Sequence, residues 1–373
     1  MPSETPSFMP WWRVEFGETA ARAAYNAVAG RHMTMGALTA EFERRIGEIL
    51  GVRHVVSTAS GTAALMLACF EAGVGPGDEV VVPDRTWIAT AHAAHLLGAT
   101  IVAAEVEKNR PIMDADSFLQ AITPATKAVI PVHLNGRAAD MPKIRSIAQS
   151  RGIAVIEDAC QALFSKSPEG GFLGCHSRAG CFSLSIGKAI SSGQGGFIVT
   201  NDDETAQRLV LGRTHGTSDV TMAKWQMGGG NFRFWDLPAA VALSQLDIAE
   251  ERCENVKRVY QRYARKLREF SCLELLPVDV EGGELPLYVE CNSPLRGALL
   301  AHLEAGGIQA RPYYGSLHEA PQFMRRNPSA YQNSDIYARQ CFVLPCGPDR
   351  TDDEIDRVLA AIGAFEETQA EGK

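Results

Sequence analysis

Lys188 lies in the turn Ser183-Leu184-Ser185-Ile186-Gly187-Lys188-Ala189-Ile190-Ser191-Ser192-Gly193-Gln194-Gly195-Gly196, between two apolar runs. A lysine sheltered from water gives up its proton more readily, and its free amine can attack a carbonyl to form a Schiff base. The same residue on an exposed loop would have no such role. Gly187-Lys188 invites comparison with a phosphate-binding P-loop, but Ala189 stands where a serine or threonine would meet magnesium, and Gly180 is at the wrong distance. Gly193-Gln194-Gly195-Gly196 is not followed by a helical pattern and does not read as a dinucleotide fingerprint.

Three other places can carry chemistry. In Ser57-Thr58-Ala59-Ser60-Gly61-Thr62, followed by Ala63-Ala64-Leu65-Met66, a strand gives way to a helix through small and hydroxyl residues. Free N–H groups at such a helix start suit a phosphate, although Ser60 acting only as a cap explains the pattern equally well. Ile153–Asp158 ends an apolar run on two carboxylates, Glu157 and Asp158. Asp158 could hold a cationic ring nitrogen, bind a metal or cap a following helix, and a buried acid needs some partner. Trp87 follows the run Glu79–Val82 and could cover a flat ring or simply pack. Histidines 92, 95, 133, 176 and 215 lack the spacing of a metal pair on one helix, and no metal is expected.

The elements that must position these residues follow from hydrophobic periodicity. Seven apolar runs read as strands: His54–Ser57, Glu79–Pro83, Thr100–Glu105, Ala128–Val132, Ala154–Glu157, Gly180–Leu184 and Gly196–Thr200. Helical patterns such as Ala63–Ala72 and Met141–Gln149 lie between them. This alternation predicts an α/β domain with a mostly parallel seven-stranded sheet between helices, whose ligands sit beyond the carboxyl ends of the strands. From Leu246 to Lys266 a long charged helix is expected. A smaller C-terminal α+β domain follows, with a strand at Leu287–Cys291, a helix at Pro294–Ala305 and a last helix at Asp352–Phe365 opened by a Thr351/Glu354 capping box. The boundaries expected are 1–245 for the large domain, including an N-terminal arm at 1–35, and 246–373 for the small one.

Composition narrows the function. The 373 residues carry 36 basic and 44 acidic side chains, a net charge of −8, which argues against nucleic acid as the main partner. No apolar run reaches the roughly 18 residues of a membrane span, and Met1–Trp12 has no basic segment leading into an apolar one, so neither a membrane helix nor a signal peptide is expected. Nine cysteines without a Cys-x-x-Cys pair read as reduced thiols in a cytoplasmic protein.

The order of these signals along the chain resembles the sugar aminotransferase family named after DegT, DnrJ and StrS, of the pyridoxal phosphate-dependent aspartate aminotransferase type (fold type I). The resemblance runs from about Met35 to Ile362. It rests on Gly36 with Glu41-Phe42-Glu43, Gly75-Pro76-Gly77-Asp78-Glu79-Val80, Pro131-Val132-His133-Leu134-Asn135-Gly136 and Glu157-Asp158-Ala159-Cys160-Gln161-Ala162. The Lys188 segment, Gly230-Asn231-Phe232-Arg233, Ala239-Ala240, Gln245-Leu246, Arg311-Pro312-Tyr313-Tyr314 and Leu344-Pro345 complete it.

The resemblance implies a pyridoxal 5'-phosphate enzyme in which Lys188 forms the internal aldimine and Asp158 pairs with the pyridine nitrogen. It implies that Trp87 stacks on the ring, that Gln161 bonds near the phenolic oxygen, and that Ser60, Gly61, Thr62 and Ser183 hold the phosphate. Asn231 would reach the phosphate of a neighbouring subunit, which implies a homodimer with shared active sites. His133, Gln194, His215, Tyr313 and Tyr314 are the candidates for substrate contact. The implied reaction moves an amino group, by family habit from L-glutamate, to a nucleotide-linked keto-deoxy sugar by a ping-pong mechanism. A keto cyclitol acceptor is the alternative, and a non-catalytic relative of the same fold is a further one. The family's dehydratase branch replaces the lysine by histidine, so Lys188 speaks against it. Gly187, Ala189, Gln194 and Leu163-Phe164 depart from the common pattern, and these departures bear on the acceptor rather than on the cofactor contacts.

Overall fold

Residues 8–221, 224–323 and 331–371 are described by a computed structural model. Strands β1 (His54–Thr58), β2 (Glu79–Pro83), β3 (Thr100–Ala104), β4 (Thr126–Val129), β5 (Ala154–Asp158), β6 (Ala179–Ser183) and β7 (Gly196–Thr200) form one sheet. Its order is β1-β7-β6-β5-β4-β2-β3. Strand β7 is antiparallel to both neighbours, and every other pairing is parallel. The mostly parallel seven-stranded sheet expected from the sequence is therefore present.

Both faces of the sheet are covered, which is why its strands are apolar throughout. The covering helices are α1 (Gly17–Ala29), α2 (Ala37–Leu50), α3 (Gly61–Glu71), α4 (Ala89–His95), α5 (Ala115–Ala121), α6 (Met141–Gln149), α7 (Asp203–Arg213) and α8 (Asp236–Leu246). Side chains alternate between the faces of a strand. Val80, Val82 and Ile198 accordingly join the core under α3 and α4, Val81 packs with Phe118 of α5 and Ile144 of α6, and Phe197 and Val199 pack with Phe42 and Ile46 of α2.

A second unit is built on α9 (Ala249–Lys266), β8 (Glu274–Leu275), β9 (Val289–Asn292), α10 (Arg296–Ala305), β10 (Arg311–Pro312), α11 (Gln332–Gln340), β11 (Cys341–Leu344) and α12 (Asp352–Glu371). Its sheet is antiparallel throughout, in the order β10-β11-β9-β8. The two units meet at Glu290 of β9, which is fully buried. Its carboxylate accepts hydrogen bonds from Arg85 just beyond β2 (3.1 Å), from Asn135 (2.8 Å) and from Arg137, the latter two beyond β4.

The structure differs from the sequence reading at several boundaries. The expected helix from Leu246 is split into α8 and α9 around Asp247 and Ile248. Strand β4 ends at Val129 rather than Val132, because Pro131 has no N–H to continue the ladder and only an isolated Val132–Asp158 bridge remains. The capping box forms: Thr351 N–H and Oγ1 donate to Glu354 Oε2 (3.0 and 3.1 Å), and Glu354 N–H donates back to Thr351 Oγ1 (3.3 Å). The arm lies across both units. Met9 and Trp12 bridge to Ile308 and Cys346 in the second unit, whereas α1, which the sequence reading did not resolve, packs on α8.

Candidate active site

The carboxyl ends of β1, β2, β5 and β6 and the amino end of antiparallel β7 share one edge of the sheet, since Thr58 and Ser183 both pair with Gly196. A cavity of about 420 Å³ opens there. It is lined by Ser60, Gly61, Thr62, Trp87, Asp158, Gln161, Ser183, Lys188, Gln194 and Tyr314, ten of the positions singled out from the sequence. Two surface grooves are larger, about 850 and 710 Å³, but they lie away from these residues and are lined by charged side chains of helix and strand ends.

Helix α3 begins at the cavity wall. Ser60 is its cap, with Oγ accepting the Ala63 N–H at 3.1 Å, so the capping reading of this serine is realised. The N–H groups of Gly61 and Thr62 have no acceptor among the described residues, as expected for the first turn of a helix. Gly61 must lack a side chain: a Cβ there would stand 2.9 Å from Cys160 Sγ and from Ser183 Cβ. That close approach brings the helix start against the ends of β5 and β6.

Asp158 is buried, yet no helix follows it, so it is not a helix cap. Its Oδ2 accepts from Thr90 Oγ1 at 2.7 Å and its Oδ1 from the Cys160 N–H at 3.0 Å. Two donors hold the carboxylate in one orientation at the cavity wall, and hydrogen bonds to an ionised group are among the stronger ones. Thr90 was not anticipated. It sits three residues beyond Trp87 on α4, and only the packing of α4 across the sheet brings it to β5.

Lys188 is half-buried, and its Nζ has no hydrogen-bond or ion-pair partner among the described residues. The backbone N–H of Lys188 donates to Ser185 O at 3.1 Å, and Tyr288 Oη donates to Gly187 O at 2.9 Å, so the turn is held while the amine stays free. Burial pushes the Tyr314 phenol up, Tyr288 adds to this, and the nearby Lys188 charge opposes it.

Gln161 is oriented by its neighbours. Its Oε1 accepts from the Asn135 N–H (2.9 Å) and from Tyr313 Oη (2.8 Å), which fixes which end of the amide is which. Its Nε2 donates to Tyr314 Oη at 2.8 Å and keeps a second hydrogen for the cavity. Tyr313 itself is buried one layer behind.

Four sequence candidates are not brought into this cavity. Besides Tyr313, His133 is fully buried: its Nδ1 accepts the Ala139 N–H at 3.2 Å, so Nε2 carries the proton and donates to Glu157 Oε2 at 2.9 Å. His215 is exposed and left-handed (φ 56°). Asn231 is exposed too, with its Oδ1 accepting from Arg233 Nε at 2.9 Å. Conversely Trp11, Tyr288 and Arg311 line the cavity without having been singled out from the sequence. Only long-range packing of the arm and the second unit places them there.

An amine without a partner among the described residues, a carboxylate held by two donors, the N–H groups of a helix start beside Ser183 and an indole that is 53% exposed all converge on one chamber. This donor set fits pyridoxal phosphate: an aldehyde for the amine, a basic ring nitrogen for the acid and a dianion for the helix start. Fold and site together define a fold type I pyridoxal phosphate-dependent aminotransferase. Residues 15–363 match the model of the DegT/DnrJ/EryC1/StrS aminotransferase family, and the chain belongs to that family.

Its relatives agree. A GDP-perosamine synthase of Caulobacter vibrioides is 32% identical over 337 residues, which cover 88% of this chain and 90% of the relative. Among solved structures, S. venezuelae DesV in complex with a ketimine intermediate is 29% identical with a TM-score of 0.91, covering 97% of this chain and 99% of that one. A family aminotransferase from Brucella abortus is 30% identical with a TM-score of 0.86, covering 93% and 95%.

Thr90→Val keeps the volume of the side chain and removes one of the two donors to Asp158. We expect aminotransferase activity to fall about tenfold, in line with the loss of one hydrogen bond to a charged group. Thermal unfolding should move little, and steady-state kinetics beside a melting curve measure both.

Proposed function

We propose that this aminotransferase carries the amino group of L-glutamate to the carbonyl of a nucleotide-linked keto-deoxy sugar, in two half-reactions at one site. The observation that carries this reading is the convergence of Lys188, Asp158 and the α3 start on one cavity. The GDP-sugar named for the Caulobacter relative supports a nucleotide-linked acceptor.

Pyridoxal phosphate, when bound, supplies an electron sink for the carbanion formed as the donor loses its Cα proton. The residues of the chain supply the rest. Asp158, fixed by Thr90 and the Cys160 N–H, would pair with the ring nitrogen and keep it protonated. The N–H groups of Gly61 and Thr62, with the hydroxyls of Thr62 and Ser183, would hold the phosphate. Trp87 would cover the ring, and the second Nε2 hydrogen of Gln161 would be free to bond to its phenolic oxygen. Lys188 Nζ, without an acid partner among the described residues, would be the group that takes up and returns the donor's Cα proton. Gln194, at the mouth, meets the substrate. Because donor and acceptor use the same small chamber, the oxo acid must leave before the keto sugar enters.

Asn231, exposed and outside this chain's own cavity, serves the cavity of a second copy, so that the working unit is a homodimer. Nine free cysteines fit the reducing cytoplasm.

Initial velocities with glutamate and a panel of keto acceptors test the reading. Parallel double-reciprocal lines and a clear preference for a nucleotide-linked keto-deoxy sugar are expected. Intersecting lines would overturn the two-step sequence, and a preference for keto cyclitols would overturn the acceptor.

A further inference from the structure

Arg311, on β10, lines the cavity together with Lys188, and its guanidinium has no carboxylate or other hydrogen-bond acceptor among the described residues. Its charge is not idle for lack of support. The guanidinium carbon lies 4.2 Å from the centre of the Trp11 ring, a cation–π stack that holds the plane of the fork while leaving its N–H edge open. Trp11 is itself fastened: its N–H donates to Gln309 Oε1 at 3.1 Å, its carbonyl accepts from the Cys346 N–H at 2.8 Å, and its ring packs 5.8 Å from that of Tyr288. An oriented cation facing a chamber without an internal partner is a receptor for an anion on the substrate.

Two substrate anions are in question, a carboxylate of the donor and the phosphates of the acceptor. Distance favours the first. A Cβ built on Gly187, the neighbour of Lys188, would stand 3.4 Å from Cη2 of the same Trp11 ring. One indole therefore spans from the reactive lysine turn to Arg311. The carboxylates of an α-amino acid lie one to a few bonds from the reacting carbon, whereas the phosphates of a nucleotide sugar lie a whole hexose away.

We propose that Arg311, braced on Trp11 in the cavity wall, is the receptor for a carboxylate of the amino donor. This rests on the transaminase reading above. Trp11 acts through Arg311 and is a positioning residue.

The test uses the cofactor-loaded enzyme and glutarate, a dicarboxylate that has no amine to react, with binding measured by calorimetry. Arg311→Gln should weaken glutarate about tenfold or more, as expected when a charge-assisted bidentate contact is lost. Nucleoside diphosphate binding and the visible absorption of the bound cofactor should stay unchanged, the latter showing that the variant is folded. Arg311→Lys should recover part of the affinity, and Trp11→Leu should lose severalfold while keeping the cation. An unchanged glutarate constant in Arg311→Gln, no glutarate binding by the wild type, or a loss confined to the nucleoside diphosphate would overturn the proposal. In parallel, glutamate is added alone to the wild type. If the cofactor spectrum does not respond, the transaminase reading itself fails. If it responds while Arg311→Gln behaves like the wild type, only the role of Arg311 fails.

Discussion

Lys188→Ala is expected to lower kcat by at least about a thousandfold, the range lost with a positioned acid–base group, while the protein still folds. The second half of that expectation comes from the structure. Lys188 makes no side-chain hydrogen bond or ion pair among the described residues, and its turn is held by the Ser185 carbonyl and by Tyr288. Removing its side chain therefore breaks no buried pair, and the melting temperature should stay close to that of the wild type. Lys188→Arg separates the amine from the charge. A guanidinium remains protonated in any protein and can neither bond covalently nor take a proton, so this variant should be as inactive as the alanine one. An active arginine variant would show that only positive charge is needed at position 188.

Glu290→Ala should be the most destabilising of the substitutions considered. Arg85, Arg137 and Glu290 are all fully buried, and the carboxylate pairs with both guanidinium groups. Breaking a buried pair by removing one partner costs about 3–5 kcal/mol, because a charge is left without compensation. Here two are left, and Asn135, whose backbone N–H orients Gln161, loses an acceptor as well. The melting temperature should fall by roughly 10 °C, and activity should fall with it as the Gln161 contacts loosen.

The same carboxylate makes stability depend on pH. Burial acts to raise Glu290, but Arg137 and Arg85 outweigh it and hold it below the ordinary 4.5. Burial likewise acts on Glu157, where bonds from His133 and the His176 N–H prevail. A carboxyl group lowered in the folded state stabilises above its unfolded value, and that contribution is lost as pH falls through the folded one. The melting temperature should therefore be level with respect to these groups above about pH 5 and decline below about 4.5. The decline should be shallower in Glu290→Gln. An acid profile identical to the wild type would contradict the assignment.

What could be read from the sequence, and what could not, divides along chain distance. Ser60-Gly61-Thr62, Asp158, Ser183 and Lys188 were legible because each sits where a strand ends, and the topology of a parallel sheet gathers such ends at one edge. His133 and Tyr313 lie beside true cavity residues in the chain, yet both turn inward, to Glu157 and to Gln161. A motif fixes the neighbourhood of a side chain but not the face it takes. Thr90 and Trp11 carry no local signature at all, and Arg311, although part of the Arg311-Pro312-Tyr313-Tyr314 segment, bears no local sign that it lines the cavity. Trp11 lies 177 positions before Lys188 and reaches the cavity only because the arm is bonded to residues 309 and 346 of the second unit. The break between α8 and α9 has no local signature either, since Asp247-Ile248 contains neither glycine nor proline, yet Ile248 leaves helical geometry at φ −117°, ψ 16°.

The central claim is that Lys188 is the residue that bonds to the cofactor and acts on the donor. Its most direct measurement is borohydride reduction of the pyridoxal phosphate-loaded protein, followed by peptide mass mapping, with and without prior glutamate. The mass of the reduced cofactor is expected on the peptide containing Lys188, and that label should be lost when glutamate is added first. Label on another lysine, or label on Lys188 that glutamate does not diminish, would contradict it.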